Sequence, residues 1–433
     1  MKLKAYQLNE TESAVFDPDS LRIWKVPLEK TREILAFQGG LEELESGLGT
    51  PVNNPISRKP KKDEQETKFD TLVLHIANNC NLQCEYCYER HSENTAAPGN
   101  MTIETALDAV RCFYSRYSYI REIKFFGGEP ALNQPVINAV CSYVAQSFVE
   151  GKIREKPVFK ILTNGTIMNR GLIDLIKKYE IKVVFSIDGE AFIHDQLRVY
   201  PQKKGTFDTV YKNFVLLRKE TGDRQPYSIN ATYTGLHEQA GITVNGLLWK
   251  LSDMFYVPPK KINVNLVAVD RTLPCSLKGE NLMQKSAEDA LLRAEKGDSR
   301  THTSFKAVIR RLKNGGVPTE SPCPAAVSWA AVSYTGNVYP CMMFTDRPDC
   351  YMGNVKDEIF ELKEYREVRA RFEGIRKSDH ERCRGCIAKN VCTTCMGINE
   401  YESGRLYPRK AQSCSEYRKI VEAAVKGIAE GVW

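Results

Sequence analysis

Short apolar runs alternate with helix-length segments between about residues 70 and 267. Six runs have the length and composition of buried strands, at 71–76, 122–126, 158–162, 182–187, 227–232 and 261–267. The segments between them, such as 103–117 and 134–149, have the apolar spacing of amphipathic helices. Because repeated βα units form parallel sheets, this pattern predicts an α/β chain with a partial, six-unit (β/α)6 TIM-like barrel rather than a closed barrel of eight units.

The barrel prediction covers residues 70–270 and leaves smaller units at both ends. Residues 1–50 predict a small N-terminal α+β module, with strands at 13–16 and 21–26, a turn at 17–20 and a helix at 29–37. Residues 51–69 have the composition of an exposed linker, residues 271–320 that of a polar, helical connector, and residues 321–433 form a cysteine-rich C-terminal domain. The N-terminal module is interpreted either as a site that holds a leader peptide by strand addition or as a simple packing cap.

Composition and charge exclude several classes of protein. With 42% hydrophobic and 27% charged residues among 433, the chain is globular rather than disordered or fibrous. The net charge of +7 comes largely from local runs such as 58–62, so we expect no nucleic acid partner. No stretch has the length or hydropathy of a secretory signal or a membrane span, so we expect a cytoplasmic protein with no membrane partner.

The 14 cysteines exceed what disulfide chemistry explains in a reducing compartment, which indicates bound metal. Three are concentrated at 80–87, and most of the others lie between Cys323 and Cys414. Cys112, Cys141 and Cys275 are isolated, and they are interpreted as ordinary small apolar side chains.

The first group has the spacing Cys80-x3-Cys84-x2-Cys87 and directly follows a predicted strand. Three thiolates can hold a cluster of four irons and leave the fourth iron open to a ligand. The alternative is a zinc site, for which His75 or His91 would have to supply the fourth ligand.

The segment at 80–88, with Tyr86 before its last cysteine, resembles the signature of the radical S-adenosylmethionine (SAM) superfamily. The resemblance implies a 4Fe-4S cluster on Cys80, Cys84 and Cys87 whose open iron chelates the methionine part of SAM. It also implies reductive cleavage of SAM to a 5′-deoxyadenosyl radical that abstracts hydrogen from a substrate, with Tyr86 as a backbone contact to adenine.

The loop Gly127-Gly128-Glu129 after the second strand resembles the glycine-glycine-glutamate turn of the same family. The resemblance implies that this turn approaches the methionine ammonium group. Taken alone, a glycine pair at the end of a strand is more often just a tight turn.

Later strand ends supply the remaining predicted SAM contacts. The resemblance implies that Ser186 and Asp188 bind the ribose hydroxyls and that Arg198 pairs with the methionine carboxylate. Thr163 and Asn164 are weaker candidates of the same kind. Helix capping is the structural alternative for Ser186 and Asp188.

The C-terminal cysteines follow a compact pattern. Cys383-x2-Cys386-x5-Cys392-x2-Cys395 is preceded by Cys323 and Gly336-x4-Cys341 and is followed by Cys414. This spacing alone also suits a zinc ribbon.

Together with the first group, this pattern resembles the SPASM domain, which holds two auxiliary clusters. The resemblance implies three 4Fe-4S clusters in total, one auxiliary cluster on Cys323, Cys341 and Cys395 and the other on Cys383, Cys386, Cys392 and Cys414. The spacing before Cys395 is one residue shorter than the family's usual spacing. The fourth ligand of the first auxiliary cluster is either Cys350 or an open site.

The paired domains imply a maturase that oxidatively crosslinks a ribosomally made precursor peptide, with an electron donor such as flavodoxin or ferredoxin. A thioether is the preferred product, because an incompletely ligated auxiliary cluster can capture a substrate thiolate. Two alternatives remain open at this point, a sulfatase-type maturase that makes formylglycine and a zinc-binding scaffold protein without redox activity.

Overall fold

The computed structural model describes residues 3–37, 46–53, 55, 67–87, 99–222, 227–270, 272–298, 300–315 and 320–433. Tyr88 and His91 of the first cysteine region and most of the predicted linker lie outside these ranges. None of the described helices is long and apolar enough to cross a lipid bilayer.

A central sheet of eight strands has the order β11-β10-β4-β5-β6-β7-β8-β9, and its strands are parallel except for the antiparallel pair β10–β11. The six predicted barrel strands are confirmed, although β4 and β5 both begin about three residues earlier than predicted. The strands of this sheet are β4 (Lys68–Ala77), β5 (Tyr119–Gly127), β6 (Val158–Thr163), β7 (Lys182–Ser186), β8 (Tyr227–Tyr233), β9 (Ile262–Leu266), β10 (Trp329–Val332) and β11 (Val338–Tyr339).

Helices cover one face of the sheet, because alternate strand residues are apolar and point toward them. In β8, for example, Ile229 and Ala231 are buried in the main core, whereas Asn230 between them lies on the opposite, partly exposed face. The helices are α1 (Thr31–Ala36), α2 (Ile103–Arg116), α3 (Gln134–Val149), α4 (Arg170–Tyr179), α5 (Ala191–Leu197), α6 (Phe207–Thr221), α7 (Gly235–Gln239), α8 (Val244–Phe255), α9 (Leu282–Ala294), α10 (Thr303–Asn314), α11 (Lys363–Glu373), α12 (Glu381–Arg384), α13 (Met396–Ser403) and α14 (Ala411–Ala429). The predicted helices at 103–117 and 134–149 are therefore present.

The C-terminal region begins as an extension of the barrel sheet. Strand β10 pairs in parallel with β4, with Ala331 opposite Val73, and covers the edge of β4 that the barrel strands leave open. The thiol-rich segments downstream are consequently attached to the same sheet as the first cysteine loop.

A second core joins the two ends of the chain. Helix α14 packs against α9 and α10 and contacts strands of the N-terminal module. That module is a three-stranded antiparallel sheet of β1 (Lys4–Gln7), β2 (Glu12–Phe16) and β3 (Ile23–Pro27). The sequence predicted its hairpin and helix but missed β1, which lacks buried residues.

Candidate functional site

The first cysteine group lies on the loop that follows β4. Backbone bonds from Gln83 to Val199 (2.7 Å) and from Glu85 to Leu197 (2.9 Å) fasten this loop to the end of α5. Cys80 is an exposed residue, yet surrounding protein atoms desolvate its thiol and raise its pKa to about 12. The thiols of Cys84 and Cys87 add to this rise, so the three predicted iron ligands lie within electrostatic range of one another.

The Gly127-Gly128 turn packs directly on the cysteine loop. Gly128 donates its N–H to the Ala77 carbonyl (2.8 Å), and Glu129 donates to the Asn79 carbonyl (2.9 Å). A Cβ on Gly127 would overlap the Ala77 carbonyl oxygen, and φ is +125° there. A Cβ on Gly128 would overlap the Asn79 carbonyl. Glycine is required here because two backbones approach more closely than a side chain permits.

Glu129 is fully buried and has three hydrogen-bond donors around its carboxylate. Its Oε1 accepts from the Ala131 N–H (2.9 Å) and the Thr163 hydroxyl (2.7 Å), and its Oε2 accepts from the Asn164 N–H (2.7 Å). Burial raises the pKa of Glu129, while these donors oppose the rise. Oε2 keeps a lone pair for a further donor, which fits the role of ammonium acceptor that the sequence predicted.

Asn164 also connects this carboxylate to the cysteine loop. Its side-chain amide donates to Asn81 Oδ1 (2.9 Å) and lies 3.8 Å from Cys80 Sγ. The predicted site residues Thr163 and Asn164 therefore lie beside Glu129, where they orient it. Ser186 ends β7 on the partly exposed face of the sheet, opposite Asn230 of β8.

Asp188, which is predicted to bind the ribose hydroxyls, has three hydrogen-bond donors from the protein around its carboxylate. Its Oδ2 accepts from Arg198 Nε (2.7 Å) and from the Tyr86 hydroxyl, and its Oδ1 accepts from the Thr232 N–H (2.8 Å). Burial disfavours its charge, but the Arg198 guanidinium, His194 and the hydrogen bonds from Tyr86 and Thr232 together outweigh burial, so the pKa of Asp188 is lowered. In this arrangement Asp188 holds Arg198, whose Nη1 lies 3.9 Å from Cys84 Sγ.

Two buried histidines hold the loop after β7, and the sequence analysis missed this role. His237 Nε2 lies 2.6 Å from the Asp188 carbonyl oxygen, and His194 Nδ1 lies 3.2 Å from the Asp188 backbone nitrogen. Burial lowers the pKa of His194 to about 4, so it is neutral at pH 7. No local sequence signal marks His237, because it lies far along the chain on α7.

The C-terminal thiols fall into two groups. In the first, the thiols of Cys323, Cys395 and Cys350 all act on the Cys341 thiol, whose pKa is raised chiefly by burial. In the second group, the thiols of Cys383 and Cys386 raise the pKa of the Cys414 thiol. The thiols of Cys386 and Cys414 likewise raise the pKa of the Cys392 thiol. These two groups match the two predicted ligand sets, with Cys350 added to the first.

Cys350 is 1% exposed and already has polar neighbours. Arg371 Nη2 lies 3.1 Å from its Sγ, and Asp349 Oδ2 lies 3.6 Å from the same atom. Cys141 is buried in the main core and Cys275 in a smaller cluster near Tyr86. Across the described ranges, no three His, Cys, Asp or Glu side chains have the geometry of a site for a single metal ion.

Comparison with known families decides between these possibilities. Residues 74–240 match the family model of the radical SAM superfamily. This match identifies residues 74–240 as a radical SAM domain. Residues 323–387 match the SPASM model, an iron–sulfur cluster-binding domain, so this radical SAM chain also carries a SPASM domain. The match includes Cys323, Cys341, Cys383 and Cys386, and the other predicted auxiliary ligands lie outside it.

Several curated proteins resemble parts of this radical SAM chain. An uncharacterised protein of Methanocaldococcus jannaschii is 35% identical over 34% of the chain and 48% of its own length. The cysteine-type anaerobic sulfatase-maturating enzyme of Clostridium novyi is 27% identical over 34% of the chain and 40% of its own length. The antilisterial bacteriocin subtilosin biosynthesis protein AlbA of Bacillus subtilis is 28% identical over 49% and 43%. The chain thus spans less than half the length of each of these relatives.

Solved structures share the fold over most of the chain. Native anSMEcpe with bound AdoMet (SAM) superposes with a TM-score of 0.67 at 19% identity, covering 84% of this chain and 98% of that one. Streptococcus suis SuiB bound to precursor peptide SuiA superposes with a TM-score of 0.54 at 14% identity, covering 95% of this chain and 98% of that one. These similarities establish the fold alone.

The residues on the cysteine face fit the cofactors that this family implies. The thiols of Cys80, Cys84 and Cys87 lie within electrostatic range of one another, and the turn beside them accepts only glycine. Beside the cysteine loop and this turn lie Glu129, whose Oε2 has a spare lone pair, and the buried Arg198. The zinc-binding scaffold, one of the two sequence-based alternatives, loses its support with the radical SAM match.

Proposed function

We propose that this protein oxidatively crosslinks a ribosomally made precursor peptide, with a thioether as the preferred product. The observation that carries the proposal is the continuous sheet. Strand β4 delivers Cys80, Cys84 and Cys87 at its end and pairs along its other edge with β10, which leads to the auxiliary thiols. A hydrogen-abstracting site and electron-accepting sites thereby share one rigid support.

The bound cluster and SAM together supply a carbon radical able to remove hydrogen from an unactivated C–H bond. The protein's own part is to bind and orient SAM. Glu129 presents Oε2 for the methionine ammonium, and Arg198, held by Asp188, presents its guanidinium for the carboxylate. The fixed hydrogen bonds of both residues mean that little reorganisation is needed when SAM binds.

After hydrogen abstraction, the substrate carbon radical and a cysteine thiol would form a C–S bond and release one proton and one electron. The predicted auxiliary ligands, such as Cys383, Cys386, Cys392 and Cys414, would hold a cluster able to take up that electron. An external donor such as flavodoxin or ferredoxin would reduce the first cluster. The thioether version needs an open iron in the first auxiliary cluster, so it requires that Cys350, whose sulfur accepts a hydrogen bond from Arg371, is not a ligand.

The N-terminal sheet is the proposed site for the leader segment of the precursor. Strand β1 pairs with β2 on one side only, and within the described residues the sheet ends there. The opposite edge is partly covered, since Val52 donates to the Ile23 carbonyl (2.8 Å) and Asn53 Oδ1 accepts from the Ile23 N–H (2.7 Å). A peptide would therefore add along β1 by main-chain hydrogen bonds.

Relatives support a peptide substrate for this type of fold. AlbA takes part in the biosynthesis of the bacteriocin subtilosin, and SuiB binds the precursor peptide SuiA. The test is coexpression with a short cysteine-containing peptide encoded beside the gene, followed by mass spectrometry with fragmentation. Loss of two hydrogens with a fragment pattern linking a cysteine to another residue is expected. An unmodified peptide, despite active SAM cleavage, would contradict the proposal.

A second candidate is formylglycine formation, favoured by the similarity to the sulfatase-maturating enzyme of Clostridium novyi. The same mass spectrum separates the two reactions. A crosslink retains the cysteine sulfur, whereas conversion of cysteine to an aldehyde removes it.

A further inference from the structure

The hydroxyl of Tyr407 lies at the second auxiliary thiol group. Its oxygen is 3.0 Å from Cys383 Sγ, and its ring packs edge-on against His380 with centroids 4.8 Å apart. A cysteine that binds iron is a thiolate and has no proton to give. With a cluster in place, Tyr407 must therefore be the donor of this hydrogen bond.

A buried cation lies on the same group. Lys377 is 2% exposed, and its ammonium donates to the Lys389 carbonyl (3.0 Å). It interacts electrostatically with the thiols of Cys383 and Cys392. The charge of Arg311 lowers the pKa of Lys377, and the carboxylate of Glu320 raises it. Glu320 also pairs with Lys389, whose ammonium lies 3.0 Å from Oε1. Lys377 therefore places a positive charge near the sulfurs of Cys383 and Cys392.

Arg409 adds a second cation to the group. Its Nη2 donates to the Thr393 carbonyl (2.7 Å), which fixes the guanidinium beside the cysteine segment. The positive charge of Arg409 lowers the pKa of the Cys392 and Cys414 thiols, and the charge of Arg382 lowers that of Cys414 as well. Neither Lys377 nor Arg409 is a predicted cluster ligand, and their hydrogen bonds go to Lys389, Thr393 and Thr394 in the protein around the cysteines.

We infer that Tyr407 is a positioning residue that raises the reduction potential of the second auxiliary cluster, with Lys377 and Arg409 acting in the same direction. A reduced cluster carries one more negative charge than an oxidised one. Hydrogen bonds to ligand sulfur and nearby cations stabilise the more negative state. The second auxiliary cluster is thereby tuned to accept the single electron released in crosslinking. This inference rests on the proposed ligand set of that cluster.

The test is an EPR-monitored redox titration of the full chain, reconstituted anaerobically with iron and sulfide. In Tyr407→Phe the ring and its packing remain and only the donor is lost. We expect about a tenfold shift toward the oxidised form at fixed potential, equivalent to a midpoint about 59 mV lower for a one-electron couple. Iron content should be unchanged. Tyr401→Phe is the matched control, because Tyr401 is 42% exposed in the same domain, and it should shift nothing.

A second variant keeps the inference testable if Tyr407→Phe fails to load iron. Incorporation of 3-fluorotyrosine at position 407 preserves the side chain but makes its hydroxyl a stronger donor, so the midpoint should rise. Unchanged midpoints in whichever variants load iron fully would overturn the inference. The double variant Cys383→Ser/Cys386→Ser checks the ligand set separately, because it should lose the iron of one cluster. If the protein fails to crosslink a peptide, the shift in midpoint caused by Tyr407→Phe should still be observed.

Discussion

Replacing Asp188 with asparagine removes the charge that neutralises Arg198 inside the protein. Asp188 is fully buried, the Arg198 side chain is 11% exposed, and Oδ2 and Nε are 2.7 Å apart. Asparagine has nearly the same shape and keeps an oxygen for the Thr232 N–H, but an NH2 group replaces the oxygen that accepts from Arg198 and Tyr86, so the negative charge and both hydrogen bonds are lost. Leaving one member of a buried ion pair uncompensated costs about 3–5 kcal/mol. We expect the free energy of unfolding of Asp188→Asn to fall by about this amount.

An exposed ion pair beside the same loop provides the control. Lys203 Nζ lies 2.7 Å from Glu85 Oε1, but the two side chains are 66% and 45% exposed. Water and salt screen such a pair, so Glu85→Gln should cost about 1 kcal/mol or less. Urea unfolding of both variants, prepared with the same iron content, measures the difference. Equal, small losses in the two variants would refute the view that Asp188 and Arg198 form a desolvated ion pair.

Three further outcomes are expected. Burial lowers the pKa of His302 from 6.5 to about 4, so stability should fall as pH drops between those values. In urea unfolding at pH 7 and pH 5, His302→Asn should lower the number of protons taken up on unfolding by about one. An unchanged difference in stability between the two pH values would contradict this. Gly128→Ala should lose iron from the N-terminal cluster in iron analysis, whereas Gly47→Ala, with nothing within 4 Å of its Cβ, should not. Cys350→Ala should keep full iron content, and a loss would make Cys350 a ligand and remove the basis for thiolate capture.

The sequence by itself determined the repeating units and the chemistry at their ends. The helices at Ile103–Arg116 and Gln134–Val149 follow their apolar spacing closely. The spacing of Cys80, Cys84 and Cys87 pointed to an open-iron cluster before any tertiary contact was known. Such features are readable because helix and strand periodicity and ligand spacing are local properties of the chain.

Only the tertiary structure decided which distant groups meet. The partners of Asp188 are Tyr86, Arg198 and Thr232, which come from three different loops or strands. The pairing of β10 with β4 joins segments about 250 residues apart. The position of Tyr407 beside Cys383 likewise has no motif. Periodicity shows which face of an element is buried, but not which partner covers it, because that choice is made by packing across the whole chain.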